Sequence, residues 1–345
     1  MIEALRIWFL AHKRDLLWRR NPTPYQVWVS EVMLQQTQVA VVEGYYQRWM
    51  TQFPTIEALA AAPLEQVIKA WEGLGYYARV RHLYSGAQQV VAQWGGQLPQ
   101  TREELATIKG VGPYTVGAIL SFAFHQKAAA VDGNVLRVLT RYFAIDAPID
   151  TTATKEHLWQ IAEDLLPDVR PWEIVEGFIE LGATVCQKAP KCGSCPLAAR
   201  CAGRTRDPES YPRKAKRLLT IPLYRAVALI HHGGHYLVKQ EPVGKIMAGL
   251  YQFPYCETEE QGIDATQQVA WIAEVLQLSV TCIRELEQAS HSFTRYRCTL
   301  RPRLFEAVER SAVSGHTWVS DATLPQLAFS SGHRRILQRD LEALR

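Results

Sequence analysis

The chain has 345 residues, nearly half of them apolar, and a net charge of only +4. That length supports two domains with cores of their own, and that composition excludes a disordered or fibrous chain. No apolar run is long enough to span a bilayer and Glu3 and Arg6 interrupt the start, so neither a membrane segment nor a secretory signal is expected and a cytoplasmic location follows.

From Ile2 to Trp18 the apolar residues Leu5, Trp8, Phe9 and Ala11 recur at helical spacing, and Asn21-Pro-Thr-Pro24 then breaks the chain. The next helix is expected from Tyr25 to Val39, with Glu31 on its apolar face one turn after Val27. An ion is costly in that setting. Glu31 is therefore either a structural acid paired with an arginine or a general acid whose pKa burial raises. Helices follow over Glu43–Met50, Thr55–Ala61, Leu64–Trp71, Ala78–Trp94 and Arg102–Ile108. The Gly-rich loop Glu72–Tyr77 offers Leu74 and Tyr76 as exposed residues, either loop packing or an apolar wedge of the kind that parts stacked bases.

Thr101 and Glu104 have capping-box spacing ahead of Leu105 and Ile108. Gly110-Val111-Gly112 ends that helix, and Pro113 suits the first position of the next because no amide donor is needed there. A tight hairpin between two helices results, with amides facing outward as an anion site that suits a phosphate. Downstream, Asp132-Gly-Asn134 precedes another helical pattern, so Asp132 is an N-cap, an acid near the cradle, or both. Helical patterns continue to about Cys186, and no strand alternation occurs in the first 200 residues.

Cys186, Cys192, Cys195 and Cys201 then fall within sixteen residues. In a chain of cytoplasmic type they point to a metal centre, a [4Fe–4S] cluster or a tetrahedral zinc, and not to disulfides. Only one Cys-x-x-Cys pair is present, whereas zinc sites usually use two. From Lys188 to Arg217 nine basic residues face only Asp207 and Glu209, which beside a phosphate cradle favours nucleic acid. Residues 202–221 are polar, basic and punctuated by proline, hence a linker between a domain at 1–201 and another at 222–345. In the second domain Tyr224–Ile230 and Tyr236–Lys239 form a hairpin, Thr266–Leu278 a helix, Phe293–Phe305 and Thr317–Val319 strands, and His333–Leu344 a last helix.

Lys109-Gly-Val-Gly-Pro-Tyr-Thr115 with Asp132 resembles the helix-hairpin-helix DNA glycosylase superfamily, and the cysteine loop is similar to that of its endonuclease III and MutY branch. Val29–Thr37, Trp71–Tyr77, Val131–Val135 and Gly249-Leu-Tyr-Gln-Phe-Pro254 resemble the MutY-type adenine DNA glycosylases. The resemblance spans nearly the whole chain. It implies an all-α helix-hairpin-helix glycosylase domain with a [4Fe–4S] loop, followed by an α+β Nudix-like recognition domain. It further implies a base excision repair enzyme that removes adenine mispaired with 8-oxoguanine, or with guanine, in double-stranded DNA. A monomer with no membrane partner is expected.

By that resemblance Glu31 protonates N7 of the flipped adenine, and Asp132 stays ionised to stabilise the sugar cation, the logic of paired carboxyls in glycoside hydrolysis. Tyr114 and Asn134 orient the two acids. Tyr114 stands where endonuclease III has a lysine, so no lysine-type strand cleavage is expected. Arg14, Leu16, Trp18, Arg19 and Glu176 line the adenine pocket. Gln36, Thr37, Leu74, Phe293 and Thr294 contact the lesion, Tyr76 wedges into the duplex, and Gly110, Val111 and Gly112 hold its backbone. Cys186, Cys192, Cys195 and Cys201 hold the cluster. The sequence departs from the family in a first cysteine gap one residue short, in Leu16-Leu-Trp-Arg19 where a proline is usual, and in Phe293-Thr-Arg295 where the family has Phe-Ser-His. Thr266–Leu278 lacks the glutamate cluster that would bind Mg²⁺, so no nucleotide hydrolysis is expected from the second domain. Other readings of the whole are an endonuclease III-like glycosylase for pyrimidine lesions, a non-catalytic lesion binder, and a zinc-stabilised DNA-binding protein.

Overall fold

The computed structural model describes residues 1–345 except Asn21, 215–218, Val243, Thr294 and 344–345, with backbone alone for 340–343. The helices in chain order are α1 (Ile2–His12), α2 (Pro24–Leu34), α3 (Val39–Gln52), α4 (Ile56–Ala61), α5 (Leu64–Ala70), α6 (Ala78–Trp94), α7 (Arg102–Thr107), α8 (Pro113–Ala118), α9 (Gly133–Phe143), α10 (Thr152–Asp164) and α11 (Pro171–Thr184). No described strand precedes Ile221.

The chain divides into two compact units, residues 1–61 with 82–217 and residues 62–81 with 218–345. In the first unit α1, α8, α9, α10 and α11 share a core that includes Leu5, Phe9, Ala118, Val138, Leu139, Leu158, Ile174, Phe178 and Leu181. Each such large side chain contributes about 2 kcal/mol by leaving water. α2 is buried on almost every side, with Trp28, Val29 and Met33 fully enclosed, so it is the unit's central helix rather than an amphipathic surface one. The helix expected to reach Val39 ends at Leu34, and Gln36 adopts a left-handed φ of 59° before α3 begins.

Residues 202–214, expected as linker, pack on the first unit. Tyr211 Oη donates to Asp146 Oδ1 at 2.9 Å, and Arg206 and Arg213 reach the same carboxylate at 3.2 and 2.7 Å. Gly203 lies against the Arg141 backbone, where a Cβ would meet the carbonyl oxygen at 2.3 Å.

The second unit carries β1 (Ile221–His232), β2 (His235–Gln240), β3 (Tyr251–Gln252), β4 (Tyr255–Thr258), α12 (Ala265–Trp271), β5 (Val280–Glu285), β6 (Ala289–Phe293), β7 (Tyr296–Ala307), β8 (Thr317–Ser320) and α13 (Ser331–Ala343). The sheet path is β3-β2-β1-β7-β5, with β1 and β7 parallel and β1–β2 a hairpin turning at Gly233 and Gly234. β1 alternates between two cores. Val227 and Leu229 face Phe253, Leu300, Phe329 and Leu337, while Ala228 and Ile230 face Ile272, Leu276 and Phe305. The strand expected over Phe293–Phe305 is β7, which begins at Tyr296, while Phe293 ends β6, paired antiparallel to it; Thr294, between them, lies outside the described residues.

Residues 62–81 are fastened within this second unit by Glu72. Its carboxylate accepts from Arg334 Nε at 2.7 Å and from the Phe329 amide at 2.9 Å, and Lys69 Nζ lies 2.6 Å away. Ile68 is buried with Leu250 and Ala328.

Candidate active site

Three helix starts bring the acids together. α2 opens with a capping box, Thr23 accepting from the Gln26 amide while Gln26 Oε1 accepts from the Thr23 amide, with Pro24 at the first turn. Two turns later Glu31 emerges only 7% exposed. α8 opens at Gly112-Pro113, which places Tyr114 in its first turn. Tyr114 Oη donates to Glu31 Oε2 at 2.6 Å.

α9 opens at Asp132, whose Oδ1 accepts from the amides of Asn134 and Val135 at 2.9 and 2.8 Å. Its Oδ2 accepts from Asn134 Nδ2 at 2.6 Å. Asp132 is thus a helix cap, and it also faces the cavity. Asn134 is held from behind, because Arg137 Nη2 donates to its Oδ1 at 2.7 Å and to the Gly182 carbonyl at 2.8 Å. Gly182 has no room for a side chain: a Cβ there would meet Asn134 Cβ at 2.6 Å.

Glu31, Asp132, Tyr114 and Asn134 all line one cavity of about 930 Å³. Arg14, Leu16, Trp18, Arg19 and Glu176 line it too, as do Gln36 and Thr37. Burial pushes the Glu31 carboxyl up to about 7; the Asp132 and Glu176 charges push the same way, while the Tyr114 hydrogen bond and Arg19 oppose. Burial also raises Asp132, against the amides of Val135 and Asn134, the Asn134 side chain and the Arg137 charge. Tyr114 is held well above its ordinary value by burial and the two acids, so it remains a donor.

Other expected site residues fall elsewhere. Leu74, read as exposed, is 6% exposed, in a loop where Gly73 and Gly75 take positive φ; Tyr76 is 51% exposed. Neither lines the cavity. Of the hairpin residues, Val111 has its amide donating to the Ile108 carbonyl at 3.0 Å and its side chain buried. Gly110 has φ of +83° and lies against His82, so the hairpin geometry itself is as tight as its glycines require. Phe293 sits in β6 among His291, Tyr296 and Arg225, and Thr294 lies outside the described residues.

Cys186, Cys192, Cys195 and Cys201 line one small cavity with Arg141. Arg141, almost fully buried on α9, donates to the carbonyls of Gln187 and Lys188 and, at 3.4 Å, to Cys186 Sγ. Among the described residues no group of three or more His, Cys, Asp or Glu side chains is placed to hold a metal ion.

Sequence reasoning missed Glu180, Arg137 and Arg141. The available signals were Glu173, Glu176 and Glu180 recurring on one face of α11, and Arg137 and Arg141 one turn apart on α9.

Residues 29–164 match the family described as HhH-GPD superfamily base excision DNA repair protein, and residues 225–339 match the NUDIX domain family. The chain is similar to the adenine DNA glycosylase of Rattus norvegicus, 36% identical over 92% of this chain and 71% of that protein. It is 34% identical to the adenine DNA glycosylase of Homo sapiens over 97% of this chain and 73% of that one. Among solved structures, a thermostable thymine-DNA glycosylase superposes with a TM-score of 0.55 at 27% identity, covering 59% of this chain and 94% of the other.

Proposed function

The chain belongs to the adenine DNA glycosylase family, and from that premise we propose how its residues divide the work and which mispair they serve. The enzyme is a DNA glycosylase of base excision repair. Its substrate is adenine opposite 8-oxoguanine, and opposite guanine as a second mispair.

Glu31 is the general acid. At about 7 its carboxyl still carries a proton near neutral pH. Tyr114 donates to Oε2, which leaves Oε1 to carry the proton toward N7 of a base flipped into the cavity. Protonation makes adenine a leaving group, and positive charge develops on the sugar. Asp132, held by three donated hydrogen bonds, is the fixed carboxylate that stabilises this cation. Tyr114 cannot form an imine, so excision proceeds by hydrolysis without lysine-type strand cleavage.

The four cysteines fit a [4Fe–4S] cluster. All four residues line one cavity, and four cysteine thiolates are the donor set such a cluster takes. Burial and the neighbouring thiols push Cys195 up to about 11, an electrostatic cost that metal ligation relieves. Bound there, the cluster would cross-link residues 186–201. Brown protein with about four irons per chain is the expected result.

The Tyr114–Glu31 contact inside the cavity that Asp132 shares is the observation that carries this reading. Single-turnover excision on duplexes with A:8-oxoguanine, A:G or a pyrimidine lesion tests it, using wild type and Glu31→Gln. The expected result is adenine release from both mispairs by wild type and a loss of at least about 10³-fold in Glu31→Gln. Release of the pyrimidine lesion with adenine left intact would overturn the substrate, and full activity in Glu31→Gln the mechanism.

A further inference from the structure

Glu180 sits on α11 one turn beyond Glu176, is completely buried, and has no part in the steps above. Its Oε1 accepts from Arg14 Nε at 2.6 Å and from the Arg14 amide at 3.3 Å. Its Oε2 accepts from Arg14 Nη2 at 3.0 Å and lies 2.9 Å from Arg19 Nη2. Arg19 also donates from Nε to Glu176 Oε1 at 3.0 Å and from Nη1 to the Arg14 carbonyl at 3.3 Å. Every nitrogen of the Arg19 guanidinium is therefore engaged by protein. Phe9, with its ring centroid 5.7 Å from the guanidinium carbon, packs against it.

That closure matters because Arg19 is the cation facing Glu31, whose other charged or titratable neighbours are Tyr114, Asp132 and Glu176. Around Glu180 the charged groups are Arg14 and Arg19, with Glu176 one turn back on the same helix. The elements packed on α11 bring few others. Arg6 of α1 is taken by Glu173, Lys13 faces Glu176, Arg137 of α9 is taken by Asn134 and Gly182, and His125 stacks on Trp172.

We infer that Glu180 is a positioning residue for excision, a buried anion that anchors Arg14 and Arg19 so that Arg19 stays clamped between Glu176 and Glu180 and Glu31 keeps its proton. Burial alone would raise the Glu180 carboxyl, but Arg14 and Arg19 outweigh it and hold it low, so the anchor is charged wherever the enzyme works. So held, Arg19 shapes the field of the pocket from a fixed position. This inference rests on Glu31 being the acid.

The test is the pH profile of single-turnover adenine excision for wild type, Glu180→Gln, Arg14→Gln and the double variant, with Glu31→Gln as control. Thermal melting and affinity for a duplex bearing a non-cleavable adenosine analogue are measured alongside. Glu180→Gln removes an anion and unclamps Arg19, and both changes favour ionised Glu31. Its high-pH limb should move to lower pH by at least about half a unit, and its rate at neutral pH should fall about tenfold. Duplex affinity should stay within about threefold, since no phosphate contact is removed. Arg14→Gln should move the limb the opposite way, and the double variant should return it toward wild type. An unmoved limb in Glu180→Gln, with rate lost only in proportion to unfolded protein, overturns the inference. If Glu180→Gln does not fold, an unmoved limb in Arg14→Gln overturns it equally. Full activity in Glu31→Gln sinks the acid assignment instead, so the two failures are told apart.

Discussion

As the proposed general acid, Glu31 carries opposite consequences for catalysis and for stability. A carboxyl raised from 4.5 to about 7 in the folded state binds its proton more tightly than in the unfolded chain. Its contribution is therefore fully favourable below the unfolded value and is lost as pH rises through about 7. Glu31→Gln should stabilise the protein by about 1–3 kcal/mol near pH 8 and change little near pH 4, as urea unfolding would register. That pattern is expected where function is installed against stability. Tyr114→Phe has a second signature. The hydroxyl stabilises ionised Glu31, so its loss should move the high-pH limb of excision upward while the rate falls about tenfold for want of orientation. A limb that moves downward would show that the hydroxyl serves the acid form. Glu31, Asp132 and Tyr114, which line one cavity, were picked out because an acid amid valines and a hairpin followed by an acid are local patterns. Glu180 was not, because its partner Arg14 lies 166 positions away and nothing in a helix reports what its acids will pair with.

Among the elements, α9 joins a helix cap to the acid we propose for catalysis. The amides that cap the helix also hold Oδ1 in place, and the helix N-terminus favours a negative charge there. Asp132→Asn keeps a cap and loses the charge, whereas Asp132→Ala loses both. Excision should fall in both, but only Asp132→Ala should lose about 1 kcal/mol of stability beyond Asp132→Asn. Equal melting temperatures would mean the cap is dispensable. The hairpin between α7 and α8 was foreseen from Gly110 and Pro113, yet the bond from the Val111 amide to the Ile108 carbonyl was not, because a loop's amide partners depend on how the preceding helix ends. Likewise the loop at 72–77 was recognisable by its glycines, but Leu74's burial and Glu72's bonds to Arg334 and Phe329 are tertiary events that no periodicity encodes.

At the scale of the molecule, the helical and α+β halves were legible from the change of periodicity, since a 3.6-residue repeat gives way to runs such as Ala226–Ile230 that are buried on both faces of a sheet. The division between units was less so. Residues 62–81 read as helical like their neighbours, and composition cannot say which core a helix joins. The excess positive charge lies in residues 1–221, with 25 basic against 21 acidic groups, while 222–345 has 13 of each. Duplex affinity should therefore fall steeply with salt, with a log–log slope that shrinks by about one for each phosphate-contacting basic residue removed between Lys188 and Arg213. A salt-independent affinity would remove nucleic acid from the role of that stretch. No described helix is long and apolar enough to cross a membrane.

The central claim is that one buried carboxyl supplies the proton that releases adenine. Its most direct test is the single-turnover rate on an A:8-oxoguanine duplex from roughly pH 5.5 to 9, in wild type and Glu31→Gln. The wild-type rate should fall as pH rises through about 7, and the Glu31→Gln rate should be low and show no such fall. A wild-type rate that stays level across that range, or a Glu31→Gln rate that matches it, would contradict the account.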